Sequence, residues 1–356
     1  MDNADNFEEI CSWVRLALTQ GAGMKIIYQA LASYKNPAET CRFLEKHCPK
    51  AKVPSLDEAK KHADKHLRHG YRIVTPSNGF TPKLSELTDY PLVLYLSGKG
   101  AFEDMPSVAM VGSRRATPYG LHMAETLSQE LAKQDICVIS GLARGIDTSA
   151  HRGAVKANGI TWAVLGCGID ICYPRENKKL RAKIEEKGLV ISEYPMGTEP
   201  VAWNFPKRNR LIAALSLGTV VVQAPFKSGA MITANIAANL GREVMAVPGE
   251  AGLEQSEGCL ELISEGAALI RNADDIRAAL GIICEPSPNH EHTDDALCQF
   301  SQDEKNILRF IPPKGACIDD ISAHFSISPG LAAALLVQLE MRGAVRKVAG
   351  SLWIRT

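Results

Sequence analysis

Five segments of this 356-residue chain carry residue types suited to one chemistry, the binding of phosphate. They are Gly112-Ser113-Arg114-Arg115, Ser140-Gly141-Leu142-Ala143-Arg144-Gly145, Gly166-Cys167-Gly168 leading to Tyr173-Pro174-Arg175-Glu176-Asn177, Lys207-Arg208-Asn209-Arg210, and Lys227-Ser228-Gly229 with Thr233. Glycine lets the backbone approach an anion, and the N–H groups at a helix start carry the positive end of the helix dipole. Hydroxyls add donors, and each arginine adds a planar fork matched to phosphate oxygens. A compact pocket of this kind would suit a mononucleotide, and a groove would suit a strand. The spread of cations over several loops favours successive phosphates over one pyrophosphate. The dinucleotide fingerprint GxGxxG is not met, since Ile169-Asp170-Ile171 follows Gly168, and no GxxxxGK[ST] loop occurs.

Aromatic residues stand near these cations, and Tyr173, Trp203 and Phe205 are able either to stack bases or to pack into the fold. Asp147, His151, Asp170, Glu193 and Glu250 fall near the same loops. The i, i+4 spacing of Asp147 and His151 at a helix start suits capping and loop bracing as well as acid–base work. There is no Ser-His-Asp elbow and no metal-ligand cluster, so no catalytic residue, metal or cofactor is expected.

The elements that must position these loops follow from hydrophobic patterning. Seven short apolar runs, at 108–111, 136–139, 162–165, 190–192, 219–223, 244–247 and 268–270, are mostly separated by helical segments. Continuous apolar runs suit strands covered on both faces. The alternation predicts a doubly wound α/β domain with a mainly parallel sheet over about residues 103–283. Thr117 followed by Pro118 predicts an N-cap and first helical position directly after the Gly112 loop.

Residues 1–70 show apolar groups at helical spacing (Trp13, Leu16, Leu18, Ile26, Ile27, Leu31), interrupted by Gly21-Ala22-Gly23. That turn is either a tight connection between packed helices or a degenerate helix-hairpin-helix whose amides bind phosphate. Residues 71–102 are expected to be a connector packing on the sheet, and 284–300 a linker rich in Pro, His and Asp. Over 301–356, helices at 303–310, 318–324 and 331–342 precede strands at 344–348 and 352–354, a winged-helix pattern with Gly343 ending the third helix. That helix is rich in Ala and Leu. Its one cation is Arg342, with Arg346 and Lys347 following on the wing, so it suits packing or partner binding better than base reading.

Forty Lys and Arg balance forty Asp and Glu, which excludes a chain basic all over but not a local basic cleft. No signal-like opening and no run near about 18 apolar residues is present, so a cytoplasmic protein without membrane insertion is expected. Ten cysteines with no CxxC pair read as small core residues. His62, His66 and His69, on one helix face, and His290 and His292, in the linker, read as solvated.

The loops and their surroundings resemble the DNA-processing protein A (DprA, also called Smf) family. The matching segments are VGSRRATPYG (111–120), SGLARGIDTSAH (140–151), AVLGCGIDICYPREN (163–177), ISEYP (191–195), NFPKRNRLIAALS (204–216), KSGAMITA (227–234) and GREVMAVPG (241–249). The resemblance implies an extended Rossmann-like domain between a small N-terminal helical domain of SAM or helix-hairpin-helix type and a C-terminal winged helix. It implies a non-enzymatic binder of single-stranded DNA that protects incoming DNA in natural transformation. Such a protein loads RecA recombinase onto the strand while displacing single-strand-binding protein. Carried over by motif, Gly112, Ser113 and Arg114, with Arg115, would take a backbone phosphate. Ser140, Gly141, Arg144, Gly145 and Gly166 belong to the adjoining loops, Arg175 and Asn177 would line the groove, and Lys207, Arg208, Asn209 and Arg210 would continue it. Lys227, Ser228, Gly229 and Thr233 would form its floor, with Phe205 stacking a base. Family members form homodimers, and by position Ile236, Leu240, Leu260 and Ile263 would either meet a partner or face the sheet. One departure is Gly258-Cys259-Leu260, where the family often has an Asn. The rival class is a nucleotide phosphoribohydrolase of the lysine-decarboxylase-like group, whose PGGxGTxxE glutamate has no counterpart at the loop starting at Lys227. A winged-helix transcription regulator is a third reading.

Overall fold

The computed structural model describes residues 3–282, 301–311, 316–342, 344–348 and 352–355. The chain divides into two compact units, residues 1–283 and 284–356. The first is built on a nine-stranded sheet. Its strands are β1 (Arg72–Val74), β2 (Leu94–Ser97), β3 (Ser107–Val111), β4 (Cys137–Ser140), β5 (Thr161–Leu165), β6 (Leu189–Ser192), β7 (Gly218–Val221), β8 (Glu243–Ala246) and β9 (Ala268–Leu269). The order is β1-β2-β6-β5-β4-β3-β7-β8-β9. All seven strands from β6 to β9 in that order run parallel, and β2 and β1 close one edge antiparallel. The seven predicted runs correspond to β3–β9, with ends displaced by one or two residues. The stretch 71–102, expected only to pack on the sheet, supplies two of its strands.

Alternate residues of each strand enter different cores. Ala109, Val111 and Ile139 pack with Leu211, Ala234 and Leu262 of α8 (Asn204–Leu215), α9 (Gly229–Asn239) and α10 (Glu254–Ser264). Val108, Met110 and Val138 pack with Leu127, Ala150 and Ile276 of α5 (Pro118–Lys133), α6 (Ile146–Lys156) and α11 (Ala273–Ala279) on the other face. α7 (Lys178–Lys187) covers that second face further along, where Leu180 and Ile184 meet Ala163 and Val190. Each fully buried aliphatic side chain contributes roughly 1.5–3 kcal/mol, which is why short strands apolar on both sides persist only inside such a sandwich. The chain runs outward from β3 through β4 and β5 to β6, then returns to β7 and runs the other way. β3 and β7 therefore flank the topological switch point, where loops on opposite faces leave a crevice.

The N-terminal helices α1 (Asn3–Leu18), α2 (Met24–Tyr34), α3 (Pro37–His47) and α4 (Leu56–Arg68) share one core with the sheet: Leu16, Ile27, Leu44 and Ala63 cluster with Tyr95 and Ala163. A capping box between Ser55 and Glu58 starts α4. Gly21 has φ +76°, and a Cβ there would lie 2.0 Å from the Lys50 carbonyl oxygen, so backbone already fills that turn. The solvated reading of His62 and His66 is corrected. α4 turns Ala59, Ala63 and His66 toward the sheet, His66 stacks on Tyr95 at 4.4 Å between centroids, and its Nε2 accepts from the Met196 N–H at 2.9 Å. His62 Nε2 lies 2.9 Å from the Tyr95 hydroxyl, and burial pulls its pKa down to about 4. His69 is exposed, and His290 and His292 lie outside the described residues. Cys11, Cys41, Cys137, Cys167 and Cys259 are free and buried, as expected of small core residues.

In the second unit, α12 (Gln302–Phe310), α13 (Ile318–Phe325) and α14 (Pro329–Met341) precede the hairpin of β10 (Val345–Val348) and β11 (Leu352–Arg355). Ile307, Ile311, Ile321, Leu336, Leu339 and Trp353 form its core. This is the winged-helix order. Gly343 and the stretch 284–300 lie outside the described residues. No single helix among the described residues is long and apolar enough to cross a membrane.

Candidate nucleic-acid interface

An open cleft of about 670 Å³ occupies the switch point. Its first wall is the loop after β3. At Gly112 a Cβ would lie 2.5 Å from Ile146 Cγ1 and 2.8 Å from the Gln223 carbonyl oxygen, so only glycine lets the loop pass between the start of α6 and the end of β7. Ser113 N–H donates to that Gln223 carbonyl at 2.6 Å, and Ile146 N–H donates to the Ser113 carbonyl at 3.2 Å. The Gln223 side chain accepts from Thr117 N–H at 2.8 Å and donates to Thr117 Oγ1 at 3.0 Å. Thr117 caps α5 through the Gly120 N–H, with Pro118 at the first helical position. This bracing leaves Arg114 and Arg115 exposed at the mouth.

Four helix starts supply lining residues to the cleft: Asp147 from α6, Phe205 and Pro206 from α8, Ser228, Gly229 and Ala230 at α9, and Glu254 and Gln255 from α10. None of the four has a side-chain cap. The Ile146 and Asn204 N–H groups already donate to the Ser113 and Val201 carbonyls; the first-turn N–H groups without such a partner remain donors for a ligand, and four dipole ends together favour negative charge. The Ser228 hydroxyl is buried and has no hydrogen-bond partner among the described residues.

The back wall holds two buried opposite charges, Arg208 and Asp147, on either side of a glycine. Arg208 Nη1 donates to the carbonyls of Gly141, at 2.9 Å, and Val164. Asp147 Oδ2 accepts from the N–H groups of Gly141 and Ala143 at 3.1 and 3.4 Å. A Cβ on Gly141 would lie 2.5 Å from Arg208 Nη2 and 2.7 Å from Asp147 Oδ2, so the missing side chain makes room for both charges. Burial raises the Asp147 pKa above the usual carboxylate value, against the pull of Arg208 and of the two N–H groups. The same burial lowers that of Arg208, which Asp147 opposes. Asp147 is thus a brace for the β4–α6 loop, and His151 points elsewhere, with Nδ1 2.7 Å from Thr161 Oγ1.

Phe205 forms the platform of the site. It is half-buried over Gly166, where a Cβ would come within 2.9 Å of the ring. The Arg114 guanidinium carbon lies 5.3 Å from the ring centroid, that of Arg208 5.9 Å, and the Tyr173 ring 5.6 Å. Both guanidinium groups lie over the ring at cation–π range, so a base stacked on it would share the ring with Arg114, whose charge would meet the phosphate.

The structure brings Gly112, Ser113, Arg114, Arg115, Phe205, Arg208, Asn209, Ser228, Gly229 and Thr233 to the cleft lining. Other expected residues stand behind it as framework. Ser140 donates to the Met110 carbonyl at 2.6 Å, and Gly145, at φ +76°, makes room for the Ser113 carbonyl. Asn177, expected to line the groove, is buried and donates to the Leu142 carbonyl and Thr148 Oγ1 at 3.0 and 2.8 Å. Arg210 is also buried; it forks onto Glu193 at 2.7 and 2.8 Å and reaches Asp89 at 2.9 Å, away from the cleft. Arg144 is exposed but paired with Glu176 at 2.6 Å, and Arg175, Lys207 and Lys227 are exposed outside the lining. The helical period explains the dispersal, because successive residues of Lys207-Arg208-Asn209-Arg210 point about 100° apart. Ile236, Leu240, Leu260 and Ile263 are half-buried, with Leu240 and Ile263 packed against the core of the sheet. Sequence reasoning missed Gln223 and the α10 residues Glu254 and Gln255. A polar side chain ending a buried strand must find partners, and that was the available sign for Gln223; α10 starts on no such signal.

Residues 72–281 match the family model described as DNA recombination-mediator protein A, and residues 289–351 match the DprA winged helix domain. The chain belongs to the DNA recombination-mediator protein A family. Within it, the chain is 37% identical over 303 residues to a putative DNA processing protein DprA of Mycobacterium tuberculosis, covering 81% of this chain and 78% of that one. It is 42% identical over 195 residues to the DNA processing protein DprA of Streptococcus pneumoniae, covering 55% and 69%. The solved structure of DprA from Streptococcus pneumoniae superposes with a TM-score of 0.64 at 33% identity, over 76% of this chain and 97% of that one. A second family structure, DprA from Helicobacter pylori, was described for its single-stranded DNA binding mode; it matches with a TM-score of 0.53 at 32% identity, over 59% and 95%.

Proposed function

We propose that this chain binds single-stranded DNA in the switch-point cleft and acts, without catalysing a reaction, as a recombination mediator. One observation carries this reading: exposed Arg114 and Arg115, the Phe205 ring and four uncapped helix starts meet in a single cleft. Phosphates meet the guanidinium groups and helix amides, and an unstacked base lies on Phe205. None of these contacts reads a base edge, so affinity falls with salt and varies little with sequence. Membership of the family and likeness to a structure described for single-stranded DNA binding support the reading. The held strand is protected during natural transformation in the cytoplasm. A homodimer passes it to RecA recombinase as single-strand-binding protein leaves.

A filter-binding salt titration with oligo-thymidylate tests the binding step, and an affinity independent of salt overturns it. The mediator step is tested by RecA filament assembly on DNA coated with single-strand-binding protein, where added protein should shorten the lag. Release of free base from nucleoside monophosphates would instead favour the phosphoribohydrolase reading.

A further inference from the structure

Five aromatic side chains are exposed among the described residues: Tyr34, Tyr119, Tyr173, Trp203 and Phe226. Four of them stand on segments that build the cleft. Tyr119 lies in the first turn of α5, Tyr173 lines the cleft, Trp203 is the N-cap of α8, and Phe226 sits between the lining residues Pro225 and Ser228. Single exposed apolar residues are ordinary on protein surfaces, but aromatics gathered at one site mark a binding surface. Trp203 is the extreme case at 74% exposure, although tryptophan is a residue type that folding buries heavily. It is not itself a lining residue, yet Pro200, Ala202, Phe205 and Pro206 around it are. The tryptophan therefore stands on the rim, two residues before the ring that forms the platform inside.

We infer that Trp203 is a second base-stacking position, outside the cleft, which takes an unpaired base of a strand already held on Phe205. The inference rests on the single-strand reading above and extends it by a subsite for an unstacked nucleobase. The ligand class follows from chemistry. An exposed indole offers a broad π face without charge, which serves any base equally and leaves sequence unread. Arg114 and Arg115 hold phosphates at the mouth, so a chain leaving the cleft passes the rim with its bases unpaired.

The four tryptophans, all among the described residues, make the test direct: Trp13, Trp162 and Trp353 are buried at 6%, 2% and 3% exposure, and only Trp203 is exposed. Intrinsic fluorescence of the full chain is followed on titration with oligo-thymidylates of about 4 and about 16 nucleotides. The longer strand should quench the emission and the shorter one should not. Trp203→Ala should abolish that quenching and weaken binding of the longer strand about tenfold, leaving the shorter strand's affinity unchanged, while Trp203→Phe keeps most of the affinity. Full affinity of Trp203→Ala for the longer strand overturns the inference and leaves the single-strand reading intact. A quench that grows with protein concentration alone also overturns it, by assigning Trp203 to contact between copies of the chain. Failure of the unsubstituted protein to bind either strand overturns the single-strand reading itself, and this inference with it.

Discussion

The cations at the mouth of the cleft and those behind it are all arginines, the first two on the loop after β3 and the others on α8, yet they differ in burial and in partners. Arg114 and Arg115 are exposed and, among the described residues, in no ion pair, with Arg114 over the Phe205 ring. Arg208 and Arg210 are 3% and 7% exposed; one is committed to two carbonyls beside Asp147, the other to Glu193 and Asp89. A guanidinium answers to whichever acceptors surround it. At the rim water is the only competitor, so the group is available to a ligand. In the interior the group turns to the protein's own carbonyls and carboxylates and becomes part of the frame. Positive charge in a sequence motif thus divides into ligand contacts and structural bracing.

The widest gap between the two groups should appear in stability. Arg208→Ala leaves two buried carbonyls without their donor and Asp147 without the opposing charge, a change expected to cost about 3–5 kcal/mol. Denaturant unfolding measures it, and a loss below about 1 kcal/mol, typical of exposed pairs, would erase the distinction. Acid should expose the same interior. Thr161 Oγ1 donates to the Val138 carbonyl, so His151 Nδ1–H is the donor to Thr161, and Nε2 is left buried without a partner. Burial pulls its pKa down to about 3. A histidine depressed in this way contributes stability that is complete above its ordinary value and is lost as pH falls toward about 3. On the order of 5 kcal/mol is at stake. His151→Gln should flatten the unfolding free energy between pH about 6.5 and about 3; an unchanged slope would assign the acid sensitivity elsewhere, first to His62, whose pKa burial also lowers, to about 4.

At the rim the readout changes from stability to binding. Arg114→Ala should weaken single-stranded DNA about tenfold, uniformly across sequences, and reduce the salt slope by roughly one while unfolding stays as before. A sequence-selective loss would mean that the arginine reads a base. The smallest effect is expected at Arg144, which is exposed and paired with Glu176. Arg144→Ala should leave stability unaltered, because exposed ion pairs are screened by water, and an effect on DNA affinity would add this loop to the binding surface.

The Thr117-Pro118 helix start, the seven parallel strands and the glycines of the cleft loops were legible because each rests on neighbours within a few residues. Apolar runs set strand periods, a hydroxyl before proline sets a cap, and glycine after a strand permits a tight turn. The joining of 71–102 to the sheet was not legible, since β1 and β2 pair with strands distant in sequence or face an edge that only the assembled sheet provides. Nor was the burial of His66, whose polar neighbours on α4 hide that the helix turns this ring onto Tyr95.

By itself, the order of residues determined that a parallel α/β sheet would form and that glycine, serine and arginine would collect at the ends of its strands. Only the tertiary structure decided which arginines remain free for a ligand, because that depends on the carbonyls and carboxylates delivered by segments far along the chain. Val164 and Gly141 close on Arg208, and Asp89 and Glu193 on Arg210, whereas none of the described residues brings a hydrogen-bond acceptor to Arg114. Helical periodicity gave four successive side chains four directions, and packing settled which of them would meet solvent.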